Sequence, residues 1–161
     1  MASYSVACAI HWASSPLTVT SATTPAPWNA RRMARQIVAG ALTAIERYAL
    51  PDPVREDYLS SYDGDRFVES TRYVRAYPQD LPVLAGLLPQ LQTPVQIIAG
   101  ARDPVVPPVN AEYLHERLPH SKLDIIDAGH FTWEGAADQY ADLVTSWWSG
   151  GHATTGAAAA R

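Results

Sequence analysis

Cysteine is nearly missing from this chain, and so is lysine. Cys8 is the single cysteine among 161 residues, which excludes an intrachain disulfide and any metal site built on several thiolates. Lys122 stands against 11 arginines, and the net charge of −4 with a pI near 5.6 offers little to a phosphate backbone. Nucleic-acid binding is therefore disfavoured. No apolar run approaches the length of a bilayer span, and neither G-x-G-x-x-G nor a P-loop lysine occurs, so no membrane partner and no nucleotide cofactor are expected. His11, His115 and His120 include no pair at i, i+4, which leaves no helical zinc site and no metal. What remains is a globular composition, 47% hydrophobic and 17% charged, in a length suited to one domain with a modest core.

The informative stretch runs from Thr93 to His130. Val95-Gln96-Ile97-Ile98-Ala99, opened by Pro94 and closed by Gly100, reads as a short buried strand. Asp103 follows between Arg102 and Pro104. A second run, Leu123-Asp124-Ile125-Ile126, ends at Asp127-Ala128-Gly129-His130. Between them Ala111, Leu114 and Leu118 share one helical face over Val109 to Leu118. Two strands joined by a helix form a right-handed βαβ unit with parallel strands. Both strands then end on one sheet edge, where open α/β sheets bind ligands. Asp103 alone is an ordinary turn former, and His130 alone an ordinary buried histidine. Brought to one edge, they are a carboxylate able to fix an imidazole's tautomer and an imidazole able to take a proton. Asp127, in the same turn as His130, has the wrong reach for that role. Arg102 and Glu134 read as supporting charges, Phe131 and Trp133 as cleft wall or core.

These residues resemble the C-terminal part of the α/β-hydrolase family. The resemblance lies in the strand Pro94 to Gly100, the G-x-x-D of Gly100 to Asp103 with its following prolines, and the turn Gly129-His130-Phe131. Glu134 and a helix ending in Trp147-Trp148 complete it. It implies a partial α/β-hydrolase fold, in which a helical cap precedes the βαβ unit and a last helix follows. It also implies hydrolysis of an ester or related bond in a small-molecule substrate, without cofactor, with Asp103 and His130 as catalytic acid and base. Family order places a nucleophile before both.

That nucleophile is not recognisable. No G-x-S-x-G occurs in the sequence. Ser14, Ser15 and Ser21 lack flanking glycines, Cys8 lies in an apolar run without an exposing turn, and the first acid is Glu46. The expectation is a truncated or inactive hydrolase, or else a non-catalytic module that binds a ligand or a partner.

Along the chain, residues 1–30 are rich in Ser, Thr, Ala and Pro and read as a poorly ordered extension. The alternative, an acid-poor transit segment running into Arg31, Arg32 and Arg35, has the right composition, but the expected location is cytoplasmic. Residues 31–91 read as a cap of short helices broken by prolines: Asn29 to Tyr48, Asp52 to Leu59, Arg66 to Ala76 ended by Pro78, and an apolar run from Leu81 to Leu91. Tyr48, Tyr58, Tyr73 and Tyr77 either line a pocket or donate to a substrate oxygen. Residues 92–150 carry the hydrolase-like core portion, with a helix from Glu134 to Trp148 packing Tyr140, Val144 and Trp147 on the sheet until Gly150-Gly151 stop it. Residues 151–161 read as a disordered tail. A two-stranded parallel sheet leaves an open edge, so self-association is expected.

Overall fold

The structure, a computed structural model, describes residues 27–151. All but the first residue of the expected tail and all but the last four residues of the expected extension lie outside that range. Three helices come first: α1 (Pro27–Leu42), α2 (Asp52–Ser60) and α3 (Arg66–Leu87), followed by a 3-10 turn at Leu88–Gln90. Then come β1 (Val95–Gly100), α4 (Pro108–Arg117), β2 (Ser121–Ile126), the one-turn α5 (Thr132–Gly135), α6 (Ala137–Ser146) and a π turn at Trp147–Gly151. β1 and β2 pair in parallel, from Val95 opposite Ser121 to Gly100 opposite Ile126. The βαβ unit stands as expected, with β2 starting two residues earlier than Leu123.

Strand alternation decides what each face meets. Val95, Ile97 and Ala99 of β1, with Leu123 of β2, pack towards α4 around Val106, Ala111, Leu114, Leu118 and Leu88. Gln96, on the opposite face, reaches α6 through its side-chain amide, which donates to the Leu143 carbonyl at 3.3 Å. A second cluster, formed by Val38, Leu42 and Leu59 with Ile45, Phe67 and Phe131 around it, holds α1, α2 and the start of α3 together. Arg35 of α1 grips Glu56 of α2 through both carboxylate oxygens, at 2.8 and 2.6 Å. Among the described residues no helix is long and apolar enough to cross a membrane.

Three helical expectations are corrected. α1 stops at Leu42 instead of reaching Tyr48, because the Thr43 hydroxyl takes the Gly40 carbonyl at 2.6 Å and the chain turns back through Ala44 and Ile45. It enters a left-handed residue at Arg47, φ 60. Pro78 does not end α3, which runs on through Pro82 to Leu87. Each proline removes one helical donor, but Phe67 is packed in one cluster and Leu84 in the other, and these anchors at the two ends offset the loss. The last helix is broken at Ala136, φ −142 and ψ 47, and α6 has no buried residue. Trp148 is 76% exposed, whereas Tyr140, Val144 and Trp147 of the expected apolar stripe are half-buried.

Candidate functional site

Asp103 is delivered three residues past β1, and His130 four residues past β2. The pairing of the strands continues into both turns: the Ala101 amide donates to the Ile126 carbonyl at 2.8 Å and the Arg102 amide to the Ala128 carbonyl at 3.0 Å. The turns therefore lie backbone to backbone. Gly100 permits this, since a Cβ there would lie against the Gly129 carbonyl and 2.6 Å from that of Ala128.

The Asp103 carboxylate uses both oxygens. Oδ1 accepts from the amides of Val105 and Val106, each at 2.8 Å, closing the turn through Pro104. Oδ2 lies 2.8 Å from His130 Nδ1. The turn-forming and imidazole-pairing readings of Asp103 are thus both true, one per oxygen. Its side chain is 8% exposed and that of His130 27%, so the pair is shielded on the acid side and accessible on the imidazole side. A carboxylate accepts, so Nδ1 carries the proton and the neutral ring presents Nε2 as an acceptor.

Arg102 locks the two turns to a third segment. Its Nε and Nη2 donate to Glu46 Oε2 at 3.0 and 2.9 Å, Nη2 also reaches the Asp127 carbonyl at 3.2 Å, and Nη1 pairs with the Asp127 carboxylate. Arg47 takes the other Asp127 oxygen at 2.7 Å. Asp127 is therefore engaged with arginines and not with the imidazole, as its short reach implied. The Glu46 segment fits because the histidine turn offers glycines: a Cβ on Gly129 would meet the Glu46 side chain at 3.3 Å, and one on Gly135 the Glu46 carbonyl at 3.2 Å.

Tyr58 is a residue whose role the sequence left undecided. Its hydroxyl accepts from Trp133 Nε1 and donates to Glu134 Oε1, both at 2.8 Å, so it is committed to the histidine turn. Burial pushes its phenol above the ordinary value, the Trp133 donor pulls it back and Glu134 raises it again, which keeps the hydroxyl protonated and donating. His115 and His120 lie away from the site: the first bonds Ser121 and the second Gln92. Among the described residues no group of three or more His, Cys, Asp or Glu is placed to hold a metal ion. A hollow lined by Arg47, Tyr48, Glu134, Asp138 and their neighbours borders the turn without including Asp103 or His130.

Known proteins resemble this chain in sequence and fold. Residues 20–136 match the model of the alpha/beta hydrolase fold family. A 3-oxoadipate enol-lactonase of Acinetobacter baylyi is 41% identical over 51 residues, 30% of this chain and 19% of that one. A pimeloyl-[acyl-carrier protein] methyl ester esterase of Neisseria meningitidis is 35% identical over 66 residues, 40% of this chain and 26% of that one. The structure of a serine hydrolase involved in carbazole degradation superposes with a TM-score of 0.58 at 16% identity, over 71% of this chain and 47% of that one. The match to the solved structure thus spans less than half of its length, and the matches to the curated relatives about a fifth to a quarter of theirs. With the family model running through β1, α4, β2 and both turns, this chain belongs to the alpha/beta hydrolase fold family.

Proposed function

We propose that Asp103 and His130 are the acid and the base of an ester-hydrolysing triad. The observation that carries this is the 2.8 Å contact between Asp103 Oδ2 and His130 Nδ1 on adjacent parallel strand ends. In the reaction, His130 Nε2 takes the proton of a nucleophile's hydroxyl as that oxygen attacks the ester carbonyl. It then returns the proton to the departing alcohol, and Asp103 stabilises the intervening imidazolium. The helices α1 to α3 act as a cap over the reacting edge. Ester-acting relatives support this substrate class. No G-x-S-x-G supplies the nucleophile within this sequence, and a donor for the oxyanion goes with that elbow.

The 161-residue chain is therefore expected to label weakly or not at all with a serine-directed fluorophosphonate, and to hydrolyse p-nitrophenyl acetate little faster than free imidazole. Strong labelling and turnover, both lost in His130→Ala, would reveal a nucleophile that this reading omits. Residual turnover unchanged in His130→Ala would remove His130 from the reaction.

Exposed apolar side chains favour a second role as a partner-binding module. Tyr73, Val83 and Trp148 are 73, 64 and 76% exposed. Val95 and Ala101 donate their amides to the β2 side, so by alternation the amides of Gln96, Ile98 and Gly100 face the open edge. Self-association through that edge should show in sedimentation velocity as a species heavier than the 17.5 kDa monomer, growing with concentration. A monomer at every concentration up to the solubility limit would remove this role.

A further inference from the structure

Phe131 stands where three aromatic rings meet. It contacts His130 edge to face, with centroids 5.3 Å apart and planes at 84°, Trp133 at 5.6 Å and 70°, and Tyr58 at 6.4 Å and 86°. His130, Phe131 and Trp133 belong to one short turn, whereas Tyr58 comes from α2. Both hydrogen bonds of the Tyr58 hydroxyl end on that turn, one from Trp133 and one to Glu134. Joining an N–H donor to a carboxylate acceptor takes a group that accepts and donates at once. A hydroxyl does both, and a phenylalanine in its place does neither.

An imidazole held only through Nδ1 can still swing about that bond, and the direction of Nε2 swings with it. A second contact on the ring is needed to fix it, and the Phe131 ring, edge to face with the imidazole, supplies one. Phe131 in turn packs against the Tyr58 and Trp133 rings and against the cluster of Val38, Leu42 and Leu59. We infer that Tyr58 is a positioning residue for His130: it ties α2 to the Phe131–Glu134 turn and, through Phe131, sets the orientation of the imidazole. Tyr58 touches no reacting atom, and its committed hydroxyl is not free to serve a substrate oxygen. The inference rests on His130 being the base.

The test uses the intact 161-residue chain, 15N-labelled, with long-range proton–nitrogen spectra of the histidine rings and His130→Gln to assign the signal. In Tyr58→Phe the His130 Nε2 and Hε1 resonances should move by more than their line width while those of His115 stay in place. In a Phe131→Leu background the same substitution should add no further shift. His130 resonances unchanged in folded Tyr58→Phe, even with a lowered melting temperature, would reduce Tyr58 to a stabilising contact and overturn the inference. An equal shift in the Phe131→Leu background would overturn the route through Phe131. If Tyr58→Phe does not fold, Trp133→Phe and Glu134→Leu each remove one of the two bonds, and a still His130 signal in both overturns the inference equally. The acid–base reading fails separately: a wild-type ring protonated on Nε2 would refute it, whatever the Tyr58 variants do.

Discussion

Gly100→Ala is expected to cost about 3 kcal/mol or more of folding stability, roughly a hundredfold in the ratio of folded to unfolded chains. A Cβ at this position meets two backbone carbonyls, those of Gly129 and Ala128, the latter at 2.6 Å. Neither can rotate away as a side chain would. The strands would have to part where the Arg102 amide bonds the Ala128 carbonyl, so the damage reaches the site as well as the fold. Urea denaturation should show a lower midpoint, and the His130 ring signal should lose its bonded position. Gly40 offers the control, since an added Cβ there meets nothing within 4 Å, and as an exposed helical position it should tolerate alanine or gain from it. A Gly100→Ala midpoint within error of the native one would mean that the two turns are not in close contact.

Asp103→Asn is expected to reverse the proton arrangement of His130. The asparagine oxygen can still accept from Val105 and Val106, but the amide nitrogen then faces Nδ1, donor against donor. The ring escapes by moving its proton to Nε2 and accepting through Nδ1, which leaves Nε2 unable to take a proton from a nucleophile. In a serine triad this substitution lowers the rate by roughly four orders of magnitude. Ring nitrogen shifts report it here without any turnover. The stability cost should be about 1 kcal/mol, whereas Asp103→Ala, which strips the acceptor from two amides and the partner from the imidazole, should cost about 2 to 3 kcal/mol. If Asp103→Asn leaves the proton on Nδ1, the carboxylate is not what holds the tautomer.

The pair itself was legible because its causes are local. A β-branched run closed by a glycine, a helix-length connection and a second run place Asp103 and His130 on one edge by topology alone, and the contact at 2.8 Å is what that topology predicts. The supports of the pair were not legible. Glu46 and Arg102 are 56 residues apart, and Tyr58 and Glu134 are 76 apart; neither spacing follows from any periodicity. Glu46 leaves one weak trace, as the first acid in the sequence, and Tyr58 leaves none that sets it apart from its neighbours Tyr48 and Tyr62. The course of α3 departs from its local signal for a related reason. Pro78 is a local stop signal, but the packing of Phe67 and Leu84 at opposite ends is a tertiary fact that overrides it.

The two prolines of α3 also bear on how the molecule moves. Its N-terminal turns belong to the cluster of Val38, Leu42 and Leu59, its C-terminal turns to the cluster of Ile97, Leu114 and Leu118. Pro78 and Pro82 lie between them, so the carbonyls of Val74 and Pro78 have lost their helical donors. The rod joining the two bodies is thus softest at mid-span, while Phe131, the Tyr58 hydrogen bonds and the Arg102–Glu46 pair join the same two bodies at the histidine turn. Any bending at mid-span is held in check where the phenol and the indole meet beside Phe131.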